Sequence, residues 1–141
     1  MARTRIEQPR TFKFSANIPV RITDLNYGGH VGNDTILSII HEARAQFLKS
    51  YDYSEKDLAG TGLIMSDVVI NFKNELFYGD AVNVSIAVIN ISRASFDMVY
   101  LLKKNENTII AEAKTGMVCF DYETKKVVSI PEEVVTKFNF G

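Results

Sequence analysis

Residues 23–33, TDLNYGGHVGN, separate a strand-like segment from a helical one. Three glycines in five positions indicate a backbone with unusual dihedral angles or a close approach to another group. Asn33 or Asp34 can cap the helix predicted over about residues 34–50. Its apolar residues recur at helical spacing and cover much of its surface: Ile36, Ile39, Ile40, Ala43 and Phe47, widened by Leu37 and Leu48. Such a surface is what a helix wrapped by a curved sheet would need.

The residues on either side of this unit predict that sheet. Residues 12–22 alternate with a period of two, so they form a strand with one buried face, and Pro19 suggests an edge or a bulge. After the helix and a linker over 51–62, five further strands are predicted, the last of them short and ended by Pro131: 63–74, 81–92, 95–104, 108–121 and 125–129. The sequence therefore predicts one α+β domain over residues 1–141, with one long helix packed on an antiparallel sheet of five to six strands. Residues 1–10 are expected to be a flexible tail.

Composition excludes several classes of protein. The 141 residues carry a net charge of −1, which gives no sign of a nucleic-acid-binding surface. Cys119 is the one cysteine and lies in a strand-like run, so a buried, inert thiol is expected. The sequence has no stretch apolar enough for a bilayer and no secretory segment, and a cytoplasmic protein is expected.

The segment 24–33, DLNYGGHVGN, resembles the signature loop of the 4-hydroxybenzoyl-CoA thioesterase-like family, D-x-D-x-x-G-H-V-N-N. Further family motifs follow in order at matching separations, so that the resemblance covers residues 12–132: HEAR at 41–44, FYGD at 77–80, RASF at 93–96, FD at 120–121 and Pro131. The resemblance implies the hotdog fold, a long helix wrapped by an antiparallel sheet. It also implies hydrolysis of acyl-CoA or acyl-carrier-protein thioesters without metal or cofactor. Homodimers or homotetramers with active sites at the dimer interface are implied as well.

One departure from the family falls on its catalytic position. The second aspartate of the loop is Asn26 in this chain, and an amide cannot act as a general base. In related hotdog enzymes, a loop amide orients water or substrate and an acid on the helix is the base, which suggests Asn26 and Glu42 for these roles. His30 has a side chain suited to proton transfer, or it shapes the loop. The base stays open between Glu42, His30, Asp34 and Asp67.

Substrate-binding residues are predicted around the same loop. A glycine-rich loop that feeds a helix N-terminus presents N–H groups to a developing oxyanion. The resemblance adds groups from a partner subunit and an arginine for the CoA phosphates. The predicted binding residues are Gly29, Val31, Gly32, Asp34, Ser66, Asp67 and Arg93.

Several other enzyme classes have no motif in this sequence. It contains no G-x-S-x-G elbow, no cysteine and histidine spacing typical of zinc sites, and no P-loop. The segment typical of hotdog dehydratases is also missing. The alternative function is a hotdog protein that binds an acyl thioester or acyl ligand without cleaving it, and Asn26 is the residue that favours it.

Overall fold

The computed structural model describes residues 5–9 and 11–139. Residues 1–4 and 10 of the predicted tail lie outside this range, so the flexibility of the tail stays a prediction. The described chain contains six strands and two α-helices, in this order: β1 (Phe14–Pro19), α1 (Asn33–Lys49), β2 (Gly62–Phe72), β3 (Ala81–Ile89), β4 (Ser95–Lys104), β5 (Thr108–Asp121), β6 (Lys126–Val127) and α2 (Glu132–Phe138).

The strands form one antiparallel sheet in the order β1-β3-β4-β5-β2, and β6 pairs with the end of β5. The core lies between α1 and the face of the sheet that wraps it. Ile40, Ala43, Phe47 and Leu48 of α1 are fully buried, because their spacing keeps them on the sheet-facing side. The predicted α+β architecture is confirmed.

The segment before α1 corrects two local predictions. The first strand ends at Pro19 rather than at residue 22, because residues 22–24 form a short 3-10 helix. The Asp24 carboxylate fixes this turn by accepting from the Arg21 N–H at 2.8 Å. Pro19 ends an edge strand, as its missing N–H requires. The N-cap of α1 is Gly32, with no side-chain cap, rather than Asn33 or Asp34.

Helix α2 is absent from the sequence prediction, which treated Pro131 only as the end of a strand. Pro131 is instead the N-cap of α2, and Glu132 in the first turn and Lys137 in the last suit the helix dipole. Val134 and Phe138 are buried, and the Phe138 ring packs against aromatic rings of α1 and its neighbours. No helix within residues 5–9 and 11–139 is long and apolar enough to cross a membrane.

A buried polar network ties α1 to the sheet. Arg44 of α1, only 4% exposed, donates to Glu55 at 3.0 Å and to the Tyr100 hydroxyl at 3.2 Å. The Tyr100 hydroxyl also lies 2.7 Å from Thr115 Oγ1 of β5. Burial raises the pKa of the Tyr100 phenol, so it remains neutral. Burial alone would lower the pKa of Arg44, but the contacts with Tyr100 and Glu55 outweigh this effect and raise the pKa above its ordinary value. Arg44 therefore stays charged.

Removing the Tyr100 hydroxyl should destabilise the fold. Tyr100→Phe leaves the buried Arg44 and Thr115 groups one partner short, which costs about 1–3 kcal/mol. Urea unfolding followed by circular dichroism measures this loss. Tyr53→Phe is the matched control, because the Tyr53 hydroxyl bonds Glu133 at an exposed position. Equal losses in the two variants would contradict a structural role for the buried network.

Candidate active site

The glycine-rich loop closes on itself directly before α1. Asn26 N–H donates to the His30 carbonyl at 2.9 Å within an isolated antiparallel bridge. Gly29 lies between them with φ of 78°, a left-handed conformation that other residues rarely adopt. The predicted need for unusual backbone dihedrals is confirmed at this residue.

The Asn26 side chain organises the loop from within. Its Oδ1 accepts from the Gly28 N–H at 2.9 Å, and its carbonyl accepts from the Gly29 N–H at 3.1 Å. An added Cβ at Gly32 would lie 3.7 Å from Asn26 Nδ2 and 2.8 Å from Asp34 Oδ1. The amide of Asn26 and the carboxylate of Asp34 therefore both lie close to Gly32, at the N-terminus of α1.

The loop is docked on the segment that follows β2. Val31 N–H donates to the Leu76 carbonyl at 2.9 Å, and His30 pairs with Phe77 across the same bridge. The His30 and Phe77 rings meet edge to face, with centroids 6.4 Å apart. The Asp80 carboxylate accepts from the Phe77 N–H at 2.9 Å and so holds the turn of this segment. Two segments distant in sequence thus form one surface.

This docking places a second acidic residue against the loop. Glu75 Oε1 lies 3.8 Å from His30 Nε2. Both side chains are accessible, at 34% exposed for His30 and 62% for Glu75. They line a cavity of about 200 Å³ together with Asn33, Phe72 and other residues of the two segments. Glu75 was missed at the sequence level, where only its position just after a predicted strand could have drawn attention to it.

The loop uses several of its own donors. The N–H groups of Gly28, Gly29 and Val31 are hydrogen-bonded inside the loop or to the docked segment. Any contact of Gly29 or Val31 with a substrate would therefore use other atoms. The first N–H groups of α1, at Asn33 and Asp34, have no acceptor within the helix and carry the positive end of its dipole. They are the better candidates for an oxyanion.

Glu42 is not brought to this cavity within the chain. It lies nine residues beyond the start of α1, about 14 Å along the axis. It lines a different cavity of about 310 Å³ between β1 and α1, with Arg21 and Asp24 among the other lining residues. Its Oε2 accepts from Gln46 Nε2 at 2.7 Å. The catalytic role of Glu42 stays a prediction that the geometry of one chain does not support.

The remaining predicted residues lie away from the loop in the same chain. Ser66 and Asp67 form an irregularity in β2, where Ser66 Oγ donates to the Gly116 carbonyl at 3.1 Å. Arg93 precedes β4 and donates to Ser129 Oγ at 2.9 Å. Strand β2 begins at the end of the sheet where Arg93 lies and runs towards the loop. Ser66 and Asp67 therefore lie along β2 between Arg93 and the loop. One chain does not bring these residues to the loop, and their binding roles stay predictions.

Two other chemistries find no support in the described residues. Cys119 is fully buried, and burial raises the pKa of its thiol, as an inert cysteine requires. No group of three or more histidine, cysteine or acidic residues within 5–9 and 11–139 is arranged to hold a metal ion. His41, the other histidine of the sequence, lies on α1 beside Glu55, with Nε2 3.0 Å from Glu55 Oε1.

Comparison with known proteins identifies the family. The sequence pattern of the thioesterase-like superfamily matches residues 20–138. The chain belongs to this superfamily. The resemblance that the signature loop suggested is thereby confirmed, and the matched region contains the loop, α1 and the docked segment.

Individual relatives agree with this assignment. A 1,4-dihydroxy-2-naphthoyl-CoA hydrolase of Nostoc punctiforme is 27% identical over 125 residues, which cover 86% of this chain and 84% of the relative. An acyl-CoA thioester hydrolase of Escherichia coli is 21% identical over 124 residues, covering 85% and 92% of the two chains. The solved structure of a 1,4-dihydroxy-2-naphthoyl-CoA thioesterase from Synechocystis superposes with a TM-score of 0.81 at 23% identity, covering 89% of this chain and 94% of that one. The predicted hotdog fold is confirmed.

The superfamily loop in this chain depends on a glycine that leaves room for the histidine. An added Cβ at Gly28 would lie 3.0 Å from His30 Nε2 and 3.1 Å from His30 Cδ2. Gly28→Ala should therefore displace the imidazole while the core stays folded. Imidazole signals in 1H–15N NMR spectra measure this, and His41, the only other histidine, is an internal control. A His30 signal identical to that of the wild type would contradict the contact.

Proposed function

We propose that this protein hydrolyses acyl-CoA thioesters at the surface formed by the signature loop, the N-terminus of α1 and the segment 75–77. The superfamily match and the two relatives named as CoA thioester hydrolases support this proposal and confirm the enzyme class expected from the sequence. One structural observation carries it: His30 lines an open cavity together with Asn33 of α1, and Asn26 lies beside Gly32, the N-cap of that helix.

The chemistry of this surface suits a thioester. Attack on the carbonyl carbon places negative charge on the carbonyl oxygen, and N–H groups at the start of α1 can stabilise that charge. Loss of one such donor typically costs about 3 kcal/mol of transition-state stabilisation. In this proposal Asn26 and His30 orient the water and the substrate, while Gly32 lets the substrate approach the helix closely.

The proposed enzyme is a dimer formed through β2. Within the described part of the chain, the outer edge of β2 has no neighbouring strand, and an open edge invites pairing with another chain. Met65, Val68 and Phe72 on this strand are large apolar side chains and remain exposed. A second copy would cover both the edge and these side chains.

Antiparallel pairing of two β2 strands would also complete the site. A two-fold interface sets the beginning of one strand beside the end of the other. The partner's residues near the start of β2 would then approach Phe72, which lines the cavity with His30. This arrangement is how Ser66, Asp67 and Arg93 could contribute to the site, with Arg93 placed to meet CoA phosphates. Two such dimers could associate further into a tetramer.

Two finer parts of the proposal concern the carrier and the compartment. An acyl-carrier-protein thioester presents the same reacting group as an acyl-CoA, so it is a second candidate substrate. A cytoplasmic location fits a chain whose one cysteine is buried and unpaired.

Hydrolysis is tested by thiol release from a panel of acetyl-, hexanoyl-, palmitoyl- and benzoyl-CoA. We expect turnover of at least one member by the wild type, and the preferred chain would give the substrate class. Asn26→Asp should be assayed in parallel, because it restores the acid that the family loop usually has at this position. A wild type that binds these thioesters without releasing thiol would favour the alternative, a non-hydrolytic binding protein, which the amide of Asn26 permits.

Dimer formation is tested by a charge on the exposed face of β2. Val68→Lys should shift the protein towards a monomer, because a lysine cannot be buried unpaired in an interface. Sedimentation velocity measures the assembly, and thiol release should fall with it. Val127→Lys is the matched control on β6, where Val127 is also exposed. A wild type that is monomeric and fully active would contradict the interface.

A further inference from the structure

The geometry points to Glu75 as the general base for the attacking water, with His30 holding that water in place. This inference rests on the proposed thioesterase function. It assigns a catalytic residue in the segment after β2, outside both the signature loop and α1.

The need for such a residue follows from the loop. Asn26 stands where the family has a catalytic aspartate, and its amide cannot take a proton from water. Thioester hydrolysis still requires a base, or a carboxylate that attacks directly. A carboxylate is therefore expected within reach of the loop that Asn26 organises.

Of the other carboxylates near the loop, Asp34 lies beside Gly32 and does not line the cavity beside His30, while Asp24 and Asp80 already have partners. Asp24 is buried and is bound by Arg21 through its side chain and its N–H. Asp80 accepts from the Phe77 N–H, and Lys104 Nζ lies 3.4 Å from it. These two carboxylates hold turns, and neither lines the cavity beside His30.

Glu75, unlike Asp24 and Asp80, lines the cavity beside His30. Its Oε1 lies 3.8 Å from His30 Nε2, both groups line the same cavity, and the side chain is accessible to water and substrate. The nearby cation Lys73 is directed elsewhere, with Nζ 3.6 Å from Glu112 Oε1. The pairing of Val31 with Leu76 fixes the backbone next to Glu75.

One water can contact both groups from the side of the cavity that they line. A separation of 3.8 Å is too long for a direct hydrogen bond, yet a single water can lie about 2.8 Å from both atoms. This water would be held by His30 Nε2 and would donate a hydrogen to the Glu75 carboxylate. A general base must lie within hydrogen-bond reach of the proton that it abstracts, and this arrangement meets that condition.

The reaction then balances without another reagent. The water oxygen bonds to the thioester carbon as one water proton passes to Glu75, and the carbonyl oxygen becomes an oxyanion facing the start of α1. When this intermediate collapses, the carbon–sulfur bond breaks and the sulfur takes the proton from Glu75. The products are the carboxylic acid and free CoA thiol, and the Glu75 carboxylate is regenerated.

The test compares Glu75→Gln with the wild type on the panel member that is hydrolysed fastest. We expect kcat to fall roughly 100-fold, since general bases contribute about 10²- to 10⁴-fold. Inhibition by free coenzyme A and the melting temperature should stay as in the wild type, because glutamine keeps the shape of the side chain. A decrease of less than tenfold would overturn the assignment.

Three accompanying variants sharpen the result. Glu106→Gln, in the exposed turn between β4 and β5, removes the same charge elsewhere and should leave kcat unchanged; an equal loss there would reject Glu75. Glu42→Gln tests the rival carboxylate, and a large loss there with normal Glu75→Gln turnover would also reject it. If Glu75→Gln lowers stability, added formate should restore turnover to Glu75→Ala, and failure of that rescue would count against the base.

The outcomes separate this inference from the function on which it rests. Wild-type turnover with an active Glu75→Gln variant would overturn only the assignment of Glu75. A wild type that is silent on the whole panel would overturn the thioesterase proposal and the base together.

Discussion

The candidate site depends on one short antiparallel pairing, in which the Val31 N–H donates to the Leu76 carbonyl. This contact holds the glycine-rich loop on the segment after β2. It thereby brings His30 beside Glu75 and Phe77, while the Asn26 side chain holds the loop from within by accepting from the Gly28 N–H. Helix α1 supplies a fixed dipole, and the docked segment supplies the Glu75 carboxylate.

The fold could be predicted largely because its signals are local. Period-two alternation gave β1 and β3, and the apolar stripe placed α1 within one residue of its observed ends. The misses were also local in origin. The strand before the loop was drawn too long because the alternation continues past Pro19 to Ile22, the first residue of the 3-10 helix. Helix α2 was missed because Pro131 can end one element or begin another.

The site was less predictable, because half of it is assembled by tertiary contacts. Asn26 and His30 lie in a recognisable loop, so their proximity to the helix start followed from the sequence. Glu75 is brought to His30 only by the pairing of two distant segments, and no periodicity reports such a contact. Glu42 looked reachable along the sequence, but the rise of α1 carries it towards another cavity.

The most direct test of this account is a double-mutant cycle between His30 and Glu75, using His30→Asn, Glu75→Gln and the double variant, with kcat as the readout. When two residues act on the same water, replacing either one already removes most of the rate contribution of both. We therefore predict that the double variant is scarcely slower than the worse single variant. Fully multiplicative losses would mean that the two residues act independently, which would contradict a shared water at the docked loop.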